Sequence, residues 1–397
     1  MSFLFLNSRD QKYYELIKDN NIDEFKENLN NPDYLKDITK IIALPTEDEI
    51  LKNLHDKNTT FLAPTIPFYK ELMVIKNLPN TQDYGIKTLQ QEIYNEDINS
   101  DLYNRFGMFV SYPDVKFKDL GGFEVPKNDM LKTRDFIKKG LVQKNLSMFL
   151  GVSRSGKSFF AECLAGELGF MLIILDLAII MCKPNPAKEL DDFFFYLENL
   201  DNYVVLIDEI EKVADPESNA AMSKILIGKL LTIFNSFNSK SGFNIKSNFI
   251  IATANNIDNL RKKNPEFINR FGLKYFVNYP LKDDFINVSN YYLKKLKISG
   301  IDGDDIFNHA NSIYSTCEIP RYDEDPNKKF GKYASGEIKE FMSNLLLYCE
   351  EKDNSLYCNE EILQKVLKLQ RPQIEFAESG VLTTISAAKI ANFREVN

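Results

Sequence analysis

From about residue 145 to residue 280 the chain carries five short, almost continuous apolar runs: "LSMFLGV", "FMLIILDL", "YVVLIDEI", "NFIIATAN" and "KYFVNYP". Longer amphipathic stretches separate them. A strand buried on one face alternates apolar with polar residues, whereas a strand covered on both faces has no polar side to show. Runs of this kind between helical stretches predict a doubly wound α/β domain, a parallel sheet with helices on both faces. The remaining motifs have to be placed around that sheet.

The first run leads into "GVSRSGKS", residues 151–158, and then into "FFAECLAGEL", a good helix. The spacing is G-x-x-x-x-G-K-[ST], in the strand–loop–helix context that a phosphate cradle requires. In that reading Gly151, Val152, Ser153, Arg154, Ser155, Gly156, Lys157, Ser158 and Phe159 form the loop. Backbone N–H groups of residues 153–158 wrap phosphates at the positive end of the helix. Lys157 reaches the β- and γ-phosphates, and the Ser158 hydroxyl is a magnesium ligand. A plain glycine turn between strand and helix is the competing reading. "YVVLIDEI" runs four apolar residues into Asp208 and Glu209 at a strand's C-terminal end. Alone, that pair reads equally well as a helix cap. Beside a phosphate loop, Asp208 holds magnesium through its water shell, and Glu209 orients and deprotonates an attacking water. Asn255 ends the next strand, where it can bond that water or the γ-phosphate; a turn asparagine is the bland alternative. "NPEFINRFG" sets Arg270 just before the last strand. It is either a solvated surface group or an arginine finger that meets a neighbouring subunit's nucleotide in trans.

This order and spacing resemble the AAA+ ATPases, and the wording of the motifs is similar to the Ycf46-like branch of bacterial and plastid AAA proteins. The matching text is "LIDEIEK", "IIATANNIDNL" and "YASGEIKEFMSNLLLY", the last resembling the family's "SGAEIEQ" lid helix and containing Gly336. "FKDLGGFEVPKNDMLKTRDFI", residues 117–137, resembles the stretch that frames adenine, with Leu120, Gly121 and Gly122 matching best. The similarity covers roughly residues 113–390. It implies ATP and Mg2+ as ligands and hydrolysis to ADP and phosphate. It also implies a homo-oligomer, a hexamer-like ring when nucleotide is bound, that remodels or regulates a protein partner. Three departures bear on that expectation. Arg154 stands where the family usually has glycine, which stiffens the loop and adds a positive charge, to clamp phosphate harder or to impair turnover. Phe267 and Leu273 leave Arg270 as a lone finger. "AIIMCKPNPAKEL" replaces the expected aromatic pore loop, which speaks against hand-over-hand threading of a polypeptide.

The resemblance divides the chain into an N-terminal accessory domain (1–110), an α/β core (111–283), a helical lid (284–370) and a C-terminal tail (371–397). At 397 residues there is room for two or three separate cores. The first hundred residues mix a helical pattern, "DQKYYELIKDNNIDEFKENLN", with the apolar run "ITKIIALP" and carry no catalytic constellation. A net charge of −8 gives no field that draws the whole protein to nucleic acid or anionic lipid. No apolar stretch approaches the roughly 18 residues of a membrane span, and "MSFLFLNSRDQKYY" lacks the basic flank of a signal peptide; the expected location is the cytoplasm. Five cysteines without a C-x-x-C pair and two histidines offer no zinc site. Two other functions fit the motifs. A nucleic-acid-linked loader would need a basic, aromatic-bearing stripe, and "LRKKN" at 260–264 is explained by a solvated face. A nucleotide switch or scaffold with little hydrolysis would accommodate Arg154 and the missing pore aromatic.

Overall fold

The computed structural model describes residues 2–5, 40–43, 59–63, 108–111, 113–139, 145–198, 203–214, 220–238, 248–323, 325–352 and 355–396. The helical pattern expected at "DQKYYELIKDNNIDEFKENLN" lies outside them. The chain divides into two compact units, Met1–Ser111 with Lys188–Asp201, and Tyr112–Ala187 with Asn202–Asn397. In the first, β1 (Ser2–Phe5), β2 (Lys40–Ala43) and β3 (Thr59–Ala63) form a parallel sheet in the order β1-β3-β2. The same unit holds β4 (Met108–Ser111) and most of the helix Pro186–Glu198.

The second unit contains the five apolar runs, and each is a strand: β5 (Leu146–Gly151), β6 (Met171–Leu175), β7 (Tyr203–Ile207), β8 (Phe249–Ala254) and β9 (Leu273–Val277). They lie parallel in the order β9-β5-β8-β7-β6. Every residue of β5, β7 and β8 is buried, which is why these runs show no alternation. Helices flank the sheet in the doubly wound α/β manner. The register decides where the site falls. Leu150 pairs with Ala254, and Ile207 with Ala252, so the residues that follow β5, β7 and β8 emerge at one carboxyl edge. Ligands of open parallel sheets bind outside that edge.

Packing fixes the segments around the edge. Phe160, on the helix Lys157–Leu168, is fully buried, with ring centroids 4.7 Å from Phe149 and 5.6 Å from both Phe117 and Phe123. Burying a phenylalanine is worth about 1.5–3 kcal/mol, so these rings hold residues 117–123 against the helix after the loop. Gly151 is needed for a different reason than phosphate contact. A Cβ there would lie 2.1 Å from the Val277 carbonyl oxygen of β9. Gly151→Ala is therefore expected to cost at least about 1–3 kcal/mol of stability, as overpacking does, read as a lower denaturant midpoint with an unchanged slope.

Residues from 282 onward build a second hydrophobic cluster around Phe285, Phe307, Tyr333, Phe341 and Leu363. The pattern there reads as wholly helical, yet the structure adds β10 (Ile298–Ser299), β11 (Glu350–Lys352) and β12 (Ser355–Tyr357) in the order β10-β12-β11. Segments of two or three residues are too short to leave a period in the sequence. The last stretch, expected as a tail, forms the helix Ile374–Ile390 and β13 (Arg394–Glu395), which lies parallel to β9. No helix among the described residues is long and apolar enough to cross a membrane.

Candidate functional site

β5 ends at Gly151, and the loop turns back through two left-handed residues, Arg154 (φ 61°) and Gly156 (φ 98°). Gly156 does this without steric cost. Arg154 carries a Cβ into the same region, at roughly 1–2 kcal/mol. The helix then starts at Lys157, whose side chain is buried. Its Nζ donates to the carbonyls of Gly151 (2.9 Å) and Val152 (2.7 Å) and to Asn255 Oδ1 (3.0 Å). Three protons meet three acceptors. Burial lowers the Lys157 pKa to about 8, with the carboxylates of Glu211, Asp208 and Glu209 acting in the opposite direction. Ser155 Oγ is buried and has no hydrogen-bond partner among the described residues.

β7 and β8 bring the acids to this loop. Ser158 Oγ donates to Asp208 Oδ1 at 2.9 Å, and the Thr253 hydroxyl donates to the same oxygen. Thr253 Oγ1 accepts the Glu209 N–H at 3.1 Å, which holds Glu209 in its left-handed turn (φ 52°). The Glu209 carboxylate accepts from Asn255 Nδ2 (3.3 Å) and pairs with Lys212. Asn255 thus joins Lys157 to Glu209. Its own N–H donates to Glu211 Oε1 (2.8 Å), and its carbonyl accepts from the Thr384 hydroxyl (3.1 Å). Burial raises the pKa of Glu211.

Lys157, Ser158, Asp208, Glu209, Thr253 and Asn255 line one open cleft of about 760 Å³. One wall is residues 117–122, and the opposite part is the loop 153–159 with Asp208, Glu209, Thr253 and Asn255. Asp284, Tyr291, Gly336 and Lys339 come from the helical part. Gly121 lies directly under the helix Lys282–Lys295, where a Cβ would sit 2.6 Å from Val288 Cγ2. Gly122 is left-handed, φ 69°. Gly336 donates its N–H to the Arg154 carbonyl at 2.7 Å.

Of the residues singled out in the sequence, Lys157, Ser158, Asp208, Glu209 and Asn255 meet in one hydrogen-bonded group, with Gly121, Gly122, Ser153, Arg154, Ser155, Gly156, Phe159 and Gly336 around the same cleft. Gly151 and Val152 do not line it; they supply carbonyls to Lys157 from below. Arg270 also lies outside the lining, at the end of the short helix Pro265–Asn269 and 3.7 Å from Glu266. Three contributors escaped the sequence reading. Thr253 was signalled by a hydroxyl inside an otherwise apolar strand, and Glu211 by a third acid in "DEIEK". Lys339 had no local signal. Among the described residues no group of three or more His, Cys, Asp or Glu side chains is placed to hold a metal.

The family described as "ATPase family associated with various cellular activities (AAA)" matches residues 147–279, the segment that carries β5 to β9. Two curated relatives extend the match. The ATP-dependent zinc metalloprotease FtsH of Karelsulcia muelleri (strain DMIN) is 25% identical over 230 residues, 50% of this chain and 36% of that protein. The uncharacterized AAA domain-containing protein ycf46 of Guillardia theta is 26% identical over 254 residues, 61% of this chain and 46% of that protein. The chain therefore spans less than half the length of either relative. Among solved structures, the FIGL-1 AAA domain superposes with a TM-score of 0.56 at 13% identity, covering 77% of this chain and 98% of that one. The FIGL-1 AAA domain in complex with ADP gives a TM-score of 0.52 at 13% identity over 72% of this chain and 93% of that one. Both structures share the fold. With its parallel sheet and the cleft at the carboxyl edge, residues 147–279 carry an AAA domain, and the chain is similar to the Ycf46-like AAA proteins.

Proposed function

We propose that the cleft binds ATP with Mg2+ and hydrolyses it to ADP and phosphate, and that the protein uses the cycle to remodel or regulate a protein partner. One observation carries the reading: the buried Lys157, the Ser158–Asp208 pair and Glu209 converge where a helix starts. The buried, unpartnered Ser155 hydroxyl fits an incoming phosphate oxygen. Ser158 and Asp208, hard oxygen donors 2.9 Å apart, fit a magnesium ion completed by phosphate oxygens and water. Bound there, Mg2+ would neutralise charge on the phosphates. Backbone N–H groups of residues 153–158 hold the phosphate chain, Lys157 exchanges a carbonyl or Asn255 for a phosphate oxygen, and Glu209 takes the proton of the attacking water. Asn255, bonded to both Lys157 and Glu209, sets the distance between cation and base. Residues 117–122 and the helix Lys282–Lys295 enclose the base. The relatives' names support the assignment: one is called ATP-dependent, and one structural neighbour was crystallised with ADP.

Phosphate release by the purified chain, with and without Mg2+, is the direct test. Glu209→Gln keeps the shape of the side chain and removes the base, so ATP binding should persist while turnover falls about a hundredfold or more. Near-normal turnover would place the base elsewhere. The second reading, a nucleotide-dependent switch with little hydrolysis, draws on the ion pair of Glu209 with Lys212, which occupies the base before any water arrives. Tight ATP binding without measurable phosphate release from the unmodified chain would select it.

A further inference from the structure

The strained residue of the phosphate loop has no partner within the loop itself. Its carbonyl accepts the Gly336 N–H at 2.7 Å, and its guanidinium pairs with Glu340. Both belong to the lid helix Ser335–Leu346, and the approach is close enough that a Cβ on Gly336 would lie 2.9 Å from the Arg154 carbonyl oxygen. The lid helix is itself anchored at this end. The buried Glu337 carboxylate accepts from the Ala334 N–H (2.8 Å), capping its own helix, and from the Gln373 N–H (2.7 Å). A glycine at position 154 would make the same left-handed turn without steric cost. What the arginine adds is a cation turned toward Glu340.

We infer that Arg154 is a positioning residue that fastens the lid helix to the phosphate loop, so that lid opening and release of a bound nucleoside diphosphate are one event. The inference deepens the nucleotide reading and rests on it. The left-handed turn aims the Arg154 carbonyl at the Gly336 N–H, and the guanidinium holds Glu340 one turn further along the same helix. Glu340 in return neutralises the added charge, so that Lys157 remains the cation of the cradle. The ion pair is half exposed, with side-chain accessibilities of 55% and 48%. Its own contribution is therefore modest, and the main-chain bond it accompanies is the stronger tie.

The test uses the full chain and Glu340, which lies outside the cleft lining. Glu340→Lys sets two cations against each other. Release of a fluorescent ADP analogue, followed by stopped flow, should be about fivefold faster, the scale of a lost surface pair. Amide hydrogen exchange at residues 335–338, measured without nucleotide, should quicken by a similar factor. In an Arg154→Gly background the same substitution should change neither rate. Glu340→Ala, a milder variant, should move both rates in the same direction, less so at high salt. Equal effects of Glu340→Lys in both backgrounds, or none in either, would overturn the inference. Failure of the chain to bind any ADP analogue would instead sink the nucleotide assignment, and the exchange measurement would still decide whether Arg154 holds the lid.

Discussion

Lys157→Ala should abolish measurable nucleotide binding. The cradle draws on backbone N–H groups and a helix start, each a partial charge, for an anion that carries several full ones. Lys157 is the only cation buried in its floor among the described residues, held there by two carbonyls and Asn255. Hydrogen bonds to charged groups are worth about 1.5–3 kcal/mol, and phosphate contacts to the one ammonium account for more than one of them. The variant leaves three buried acceptors without a donor, so it should also unfold at lower denaturant. Binding must therefore be read under conditions where circular dichroism shows the variant folded. Titration with a fluorescent ATP analogue up to millimolar concentration is sufficient. A folded variant with unchanged affinity would remove the cradle reading altogether.

Arg270→Ala should leave ATP binding intact and reduce turnover by about a thousandfold or more, the scale of a lost arginine finger. The residue ends the helix Pro265–Asn269, outside the cleft of its own chain, with its guanidinium 3.7 Å from Glu266. As an arginine finger it would serve a neighbouring subunit's nucleotide. It would neutralise charge that develops on the transferring phosphoryl group, so its loss falls on kcat and spares ground-state binding. Mixing Arg270→Ala with Lys157→Ala chains, each inactive alone, should restore part of the activity, because some interfaces then combine an intact cradle with an intact finger. If the mixture stays inactive although mixed oligomers form, or if Arg270→Ala is fully active alone, the shared site is wrong.

Much of the sheet was legible because burial on both faces leaves a local record. "YVVLIDEI" and "NFIIATAN" are strands whose composition needs no partner to be read, and the register then carries Asp208, Glu209 and Asn255 to Lys157. Thr253 was harder. A hydroxyl in a strand is informative only once the neighbouring strand is known to present Asp208 beside it. Arg154 could be flagged as an exception to a pattern, but its partner stands 186 positions away. No spacing rule connects them. The small sheet β10-β12-β11 and the edge strand β13 are too short for periodicity, so only the folded chain reveals them.

β13 has a consequence for how this unit is made. Arg394 lies beside Tyr275 and, together with the Tyr275 hydroxyl, bonds Asp129; the Val396 N–H donates to the Phe276 carbonyl while its own carbonyl accepts from Val125. During synthesis β9 and the helix Glu124–Lys138 leave the ribosome long before residues 394–396 exist. The outer edge of β9 then waits, unpaired, through translation of the whole helical part. Contacts between distant stretches close late and slowly, and an open strand edge templates association in the meantime. The nascent chain thus keeps an open sheet edge until residues 394–396 emerge and pair with β9.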